Sequence, residues 1–191
     1  CIRDRYRTLL FGNTIMSLPV DATVRVSAQF LSIDAPGDFT GTTTPVVHIG
    51  AVGQLILPPD DPSAGIFAST LGPAPADAAA FVAFLESLAE RGLISNLRDI
   101  DDTVSLLGET ASAIEFDLPD GGEVGAFVSE PDGWAGSELF TLFSATTYRA
   151  WVIDLNGQVA VVMVRADRAN TDDLDSATEF ARTLALAFEA T

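Results

Sequence analysis

The 191-residue chain contains no lysine, and its 10 basic residues, all arginine, stand against 27 acidic ones for a formal net charge of -17. So few cations exclude nucleic acid as a partner, because gripping a duplex takes several Lys or Arg to displace counterions from phosphates. The missing lysine fits two origins, adaptation to high salt or a GC-rich genome that encodes Arg in preference, and abundant Ala, Gly and Val fit the second. Cysteine occurs once, as Cys1, so neither an intramolecular disulfide nor a Cys-rich zinc site can form. Histidine also occurs once, as His48, which leaves little material for metal or acid-base chemistry. No apolar run reaches the roughly 18 residues a membrane-spanning helix needs.

What is present is enough for a packed core. Hydrophobic residues make up 48% of the chain and mean hydropathy is +0.30, far from the composition of a disordered segment. Val24, Val26, Ala28 and Phe30 alternate with polar residues between Asp21 and Asp34, the period of a half-buried strand. Val46 to Leu57 reads as a second long strand with Val47, Ile49, Ala51, Leu55 and Leu57 on one face, stopped by Pro58 and Pro59. From Pro75 to Gly92 the period changes from 2 to 3.6, with Phe81, Phe84, Leu85 and Leu88 forming one stripe; Asp77 is expected in the first turn and Arg91 in the last. Short strands follow, among them Thr103 to Leu107, Ala111 to Leu118 and Tyr148 to Leu155. Asn156-Gly157 predicts a tight hairpin, because both residues tolerate positive φ. Val159 to Val164 is apolar on both faces and so predicts a central, covered strand. A closing helix is expected over Thr171 to Glu189, capped by Thr171 or Asp172.

This order of elements predicts an α+β fold, an antiparallel sheet flanked by two main helices. A single α+β domain is expected over residues 21–191, with residues 1–20 as a leader or tether. Gln-Leu-Ile-Leu-Pro-Pro at 54–59, Ala-Phe-Val-Ala-Phe-Leu-Glu-Ser-Leu at 80–88, the pair Thr-Val-Ser-Leu-Leu-Gly and Ala-Ile-Glu-Phe-Asp, and the run 148–164 occur in sequence before the last helix. In this the chain resembles the PsbP-like fold family, extrinsic photosystem subunits and their secreted bacterial relatives, over roughly Val46 to Phe188. The resemblance implies a PsbP-like sandwich, an extracytoplasmic location and a non-enzymatic interaction or assembly module without cofactors, a lipoprotein accessory subunit of a membrane complex being one form of it.

Candidate sites follow from residue chemistry. Cys1 stands where lipoprotein processing would leave the acylated residue, and the chain lacks an initiating Met; the other reading is simply a trimmed end. Arg3, Arg5 and Arg7 would then strengthen attachment to an anionic surface by about 1 kcal/mol each. Membrane contact is expected only through this anchor, and mass spectrometry of the native amino terminus decides it. Trp134, among turn formers, is either a partner-binding residue or a buried loop anchor. His48 has no nucleophile or orienting carboxylate implied nearby, so a hydrogen-bonded structural role is expected; the alternative function is a small-molecule carrier or enzyme with an apolar pocket beside it. The acidic clusters at Asp60-Asp61, Asp99 to Asp102, Asp117 to Glu123 and Asp167 to Asp175 lack the alternate-position pattern of a calcium loop and read as solvated turns and caps, with a calcium site assembled from several loops left open.

Overall fold

The structure, a computed structural model, describes the backbone of residues 4–8, 14–18, 24–26, 30–37, 39, 44–61, 64, 68–128, 139–155, 157–186 and 188–190. Side chains are described for 31–37, 39, 44–61, 64, 68–128, 140–155 and 157–184. In chain order the elements are β1 (Asp4–Thr8), β2 (Thr14–Leu18), β3 (Val24–Val26), β4 (Phe30–Asp34), β5 (Val46–Ala51), β6 (Gln54–Leu57), β7 (Thr70–Leu71), α1 (Ala78–Glu90), β8 (Ser95–Leu106), β9 (Glu109–Leu118), β10 (Val124–Val128), β11 (Leu139–Leu142), β12 (Thr146–Leu155), β13 (Gln158–Asp167), α2 (Thr171–Leu186) and β14 (Phe188–Ala190).

All strand pairs among the described residues are antiparallel, and the fold is α+β. The main sheet runs β3-β4-β5-β13-β12-β9-β8, a second is β11-β10-β6-β7, and β1-β2-β14 form a third. β13 holds the middle of the main sheet because both rows of its side chains are apolar, and Val159 to Val164 are all buried. It pairs with β12 in register Leu155↔Gln158, which leaves two residues for the turn and gives Gly157 its φ of 81°.

Each helix covers one face of this sheet. On one face Leu174, Ala177, Ala181 and Leu184 of α2 meet Trp151, Ile153, Val162 and Val164. On the other, Phe81, Phe84, Leu85 and Leu88 of α1 join the second sheet over Phe116, Tyr148, Ala150 and Val161. Burying each such large apolar side chain contributes roughly 1.5–3 kcal/mol before the entropy of ordering it.

Several boundaries differ from the periodicity. The segment Asp21 to Asp34 is two strands, β3 and β4, paired Val24↔Ile33 to Val26↔Leu31. Val46 to Leu57 also divides: β5 lies in the main sheet and β6 in the second. The switch occurs where the Val52 N–H donates to Val159 O (2.8 Å) and the Gly53 N–H to Val128 O (2.8 Å), so neighbouring residues are held by different sheets. Asp77 caps α1 rather than entering its first turn, its side chain accepting from Ala80 N–H at 2.7 Å, and Arg91 is the C-cap. α2 starts with Thr171 inside it, Asn170 O accepting from Leu174 N–H at 3.4 Å, and stops at Leu186; Phe188 instead belongs to β14. Residues 4–8 and 14–18 form the β1–β2 hairpin, and β2 pairs onward with β14.

Candidate functional site

Cys1, Arg3 and Trp134 lie outside the described residues. Arg5 and Arg7 fall on β1, opposite Ser17 and Ile15 of β2. His48 lies in β5 between Ser32 of β4 and Met163 of β13 in register. It is 7% exposed, its Nδ1 shares a hydrogen bond of 2.9 Å with the half-buried Ser32 hydroxyl, and Phe140 packs edge-on at 5.0 Å between centroids. The sequence placed no nucleophile beside His48; strand pairing brings one there across 16 residues.

The described ionisable groups are mostly spent on holding elements together. Glu115, 8% exposed, accepts from Arg149 at Nη2 (2.8 Å) and Nε (3.2 Å) and from Arg98. Arg149 also donates from Nη1 to Asp175 and to the Thr178 hydroxyl, each at 3.0 Å, tying β9 and β12 to α2. Further along, Arg182 of α2 donates to Asp102 of β8 and to Glu179, and the Asp102 bond is the main reason its pKa rises. A groove of about 410 Å³ runs beside these residues, but both of its arginines are already paired, so it offers no free charge to an anion.

The candidate site is at the other side of the same edge. β8 ends the main sheet, is its longest strand at 12 residues, and among the described residues its outer row of backbone groups has no strand partner. Its register against β9 shifts between Ser95 and Arg98 and again between Ile100 and Thr103. These irregularities divide the acidic run: Asp102 turns inward to Arg182, whereas Asp99 and Asp101 are exposed. Between α1 and β8 lies a groove of about 390 Å³ whose lining combines Val82, Ala89, Leu97 and Ile114 with Glu86 and Asp99. Neither Glu86 nor Asp99 has an ion-pair partner among the described residues, since Arg98 is committed to Glu115 and Arg91 donates to Pro58 O and Pro59 O.

From sequence alone Asp99 to Asp102 reads as solvated turn or cap and the strand begins only at Thr103, whereas β8 runs from Ser95. Ile94, Leu97, Ile100 and Val104 were the available signal, but the two shifts break the alternation of 2 on which a strand is recognised. Among the described residues no group of three or more His, Cys, Asp or Glu is placed to hold a metal ion, and no helix is long and apolar enough to cross a membrane. Comparison with models of known protein families and with characterised proteins finds no match for this chain.

Proposed function

We propose that this protein is a non-enzymatic interaction module that docks a protein partner, in an extracytoplasmic setting to which the PsbP-like resemblance points. The observation that carries the reading is the edge of β8, a 12-residue strand at the end of the main sheet that has no outer strand partner among the described residues and has a groove beside it. An unpaired strand edge offers a ready row of donors and acceptors, the geometry by which sheets take up an extended segment of another chain. The buried charges support it too, because they rigidify the sheet behind that edge.

A photo-cross-linking amino acid placed singly at Asp101 on β8, at Glu123 before β10 and at Ser144 before β12, in the cells that make the protein, tests the reading. A discrete heavier adduct from at least one position is expected. No adduct from any of them overturns it.

One contact favours a second reading, an enzyme acting on acyl-type substrates: the Ser32 hydroxyl lies 2.9 Å from His48 Nδ1. A fluorophosphonate probe separates the two. In the enzyme reading the Ser32 Oγ–P bond forms as P–F breaks, His48 takes the hydroxyl proton and fluoride leaves, and His48→Gln abolishes labelling. In the interaction reading the intact protein is not labelled.

A further inference from the structure

Resting on the interaction reading, we propose that the outer edge of β8 docks an extended basic polypeptide segment, whose Lys or Arg side chains enter the groove between α1 and β8. The sheet has two ends, and they are built differently. Among the described residues β3 closes one with 3 residues, a short edge of the kind that discourages pairing, while β8 closes the other with 12.

Charge selects the occupant. Two copies joined through β8 would bring Asp99 and Asp101 of each against those of the other, on chains that each carry -17. Acidic residues and bulges on an edge repel a strand like itself, yet the same carboxylates attract a strand bearing cations, so the device against self-pairing is also a specificity filter. The groove fits this occupant in detail. Val82, Ala89, Leu97 and Ile114 offer an apolar floor for an alkyl stem; Arg98, which also lines the groove, is paired with Glu115, and Glu86 and Asp99 stand there to take the cationic head. Lys and Arg bury stems and keep heads polar in this manner. In an added strand every second side chain faces the α1 side, so alternate basic residues would share the groove.

The test uses a fluorescein-labelled peptide of alternating threonine and lysine, its glutamate counterpart, and the lysine peptide N-methylated at every second residue, with fluorescence anisotropy at low and physiological salt. The lysine peptide is expected to bind and the glutamate peptide not. Glu86→Gln with Asp99→Asn should weaken binding at least tenfold, whereas Asp60→Asn with Asp172→Asn, which removes the same charge at exposed positions elsewhere, should change it less than twofold. N-methylation on the pairing edge should also cost at least tenfold, since backbone bonds are then blocked. Equal weakening by the two double variants, indifference to N-methylation, or no binding overturns the inference. If that happens while the cross-linked adduct persists, the interaction reading stands with another partner chemistry; loss of the adduct removes the reading beneath as well.

Discussion

The two faces of the main sheet are covered by different means. Under α1 the packing is aromatic: Phe81 meets Phe127 at 5.7 Å and 76°, Phe127 stacks on Phe140 at 5.0 Å, and Phe116 on Tyr148 at 5.3 Å. Under α2 the helix contributes mainly Ala and Leu, and its margin is clamped by Arg149 to Asp175 and Thr178 and by Arg182 to Asp102. A helix with large aromatic side chains is fixed by the area it buries. A helix with a narrow, small-residue stripe gains less from burial, and directional polar contacts then set where it sits. The difference predicts that the two helices respond to different insults.

The largest effect is expected for Phe81→Ala, a fully enclosed ring of the α1 face. Loss of the ring and its contacts to Phe84 and Phe127 should cost about 3–5 kcal/mol in chemical denaturation. That cost should be nearly the same in low and high salt. A cost below about 1 kcal/mol would mean that the second sheet, and not α1, supplies that face.

Glu115→Ala probes the clamp. Arg149 keeps Asp175 and Thr178 but loses its enclosed carboxylate, and breaking such a buried pair from one side costs about 3 kcal/mol. Unlike Phe81→Ala, it should loosen α2 selectively, read as faster amide exchange over Leu174 to Leu184 than over α1. Equal acceleration in both helices would erase the distinction between the faces.

A pH scan sharpens the comparison from the aromatic side. Burial raises the Tyr148 pKa above the ordinary value of 10.0, outweighing Phe143 N–H, which donates to its hydroxyl at 2.7 Å, and the nearby Arg165. The folded state therefore keeps the phenol proton where the unfolded chain releases it. This stabilisation is complete below about pH 10 and is lost as pH climbs from there through the folded-state pKa. Melting temperature should fall above pH 10 in the parent, and Tyr148→Phe should flatten that alkaline limb while lowering stability at pH 7 by about 1 kcal/mol.

Much of this architecture is legible in the sequence, because it rests on local periodicity. The stripe from Phe81 to Leu88, the two-sided apolar run of β13 and the Gly157 turn each announce their element within a few residues. The sheet switch at Val52 and Gly53 is not, since it depends on which distant carbonyls, Val159 and Val128, receive their N–H groups. The candidate site was half legible. Asp99 and Asp101 stood out as charge, but their place on a sheet edge follows from the irregular pairing of β8 with β9, and the groove needs α1, which only the tertiary fold brings alongside. Ser32 beside His48 is likewise a product of strand register.

The smallest effect is expected on the α2 face, at Trp151. Its ring is fully enclosed, and among the described residues its Nε1–H has no hydrogen-bond partner. A buried donor left unsatisfied costs about 1–3 kcal/mol, while trimming a large side chain in a packed core costs an amount of similar size. In Trp151→Phe the two oppose: the orphan donor disappears, and part of the ring volume goes with it. Ala177 and Ala181 belong to the same cluster, and α2 can settle slightly toward the space because small residues there carry no interdigitated ring. The net change should stay within about 1 kcal/mol in urea unfolding, far below that of Phe81→Ala on the aromatic face. A loss above about 3 kcal/mol would show that the indole fills a role its shape alone supplies, and that the α2 face is as tightly fitted as the other.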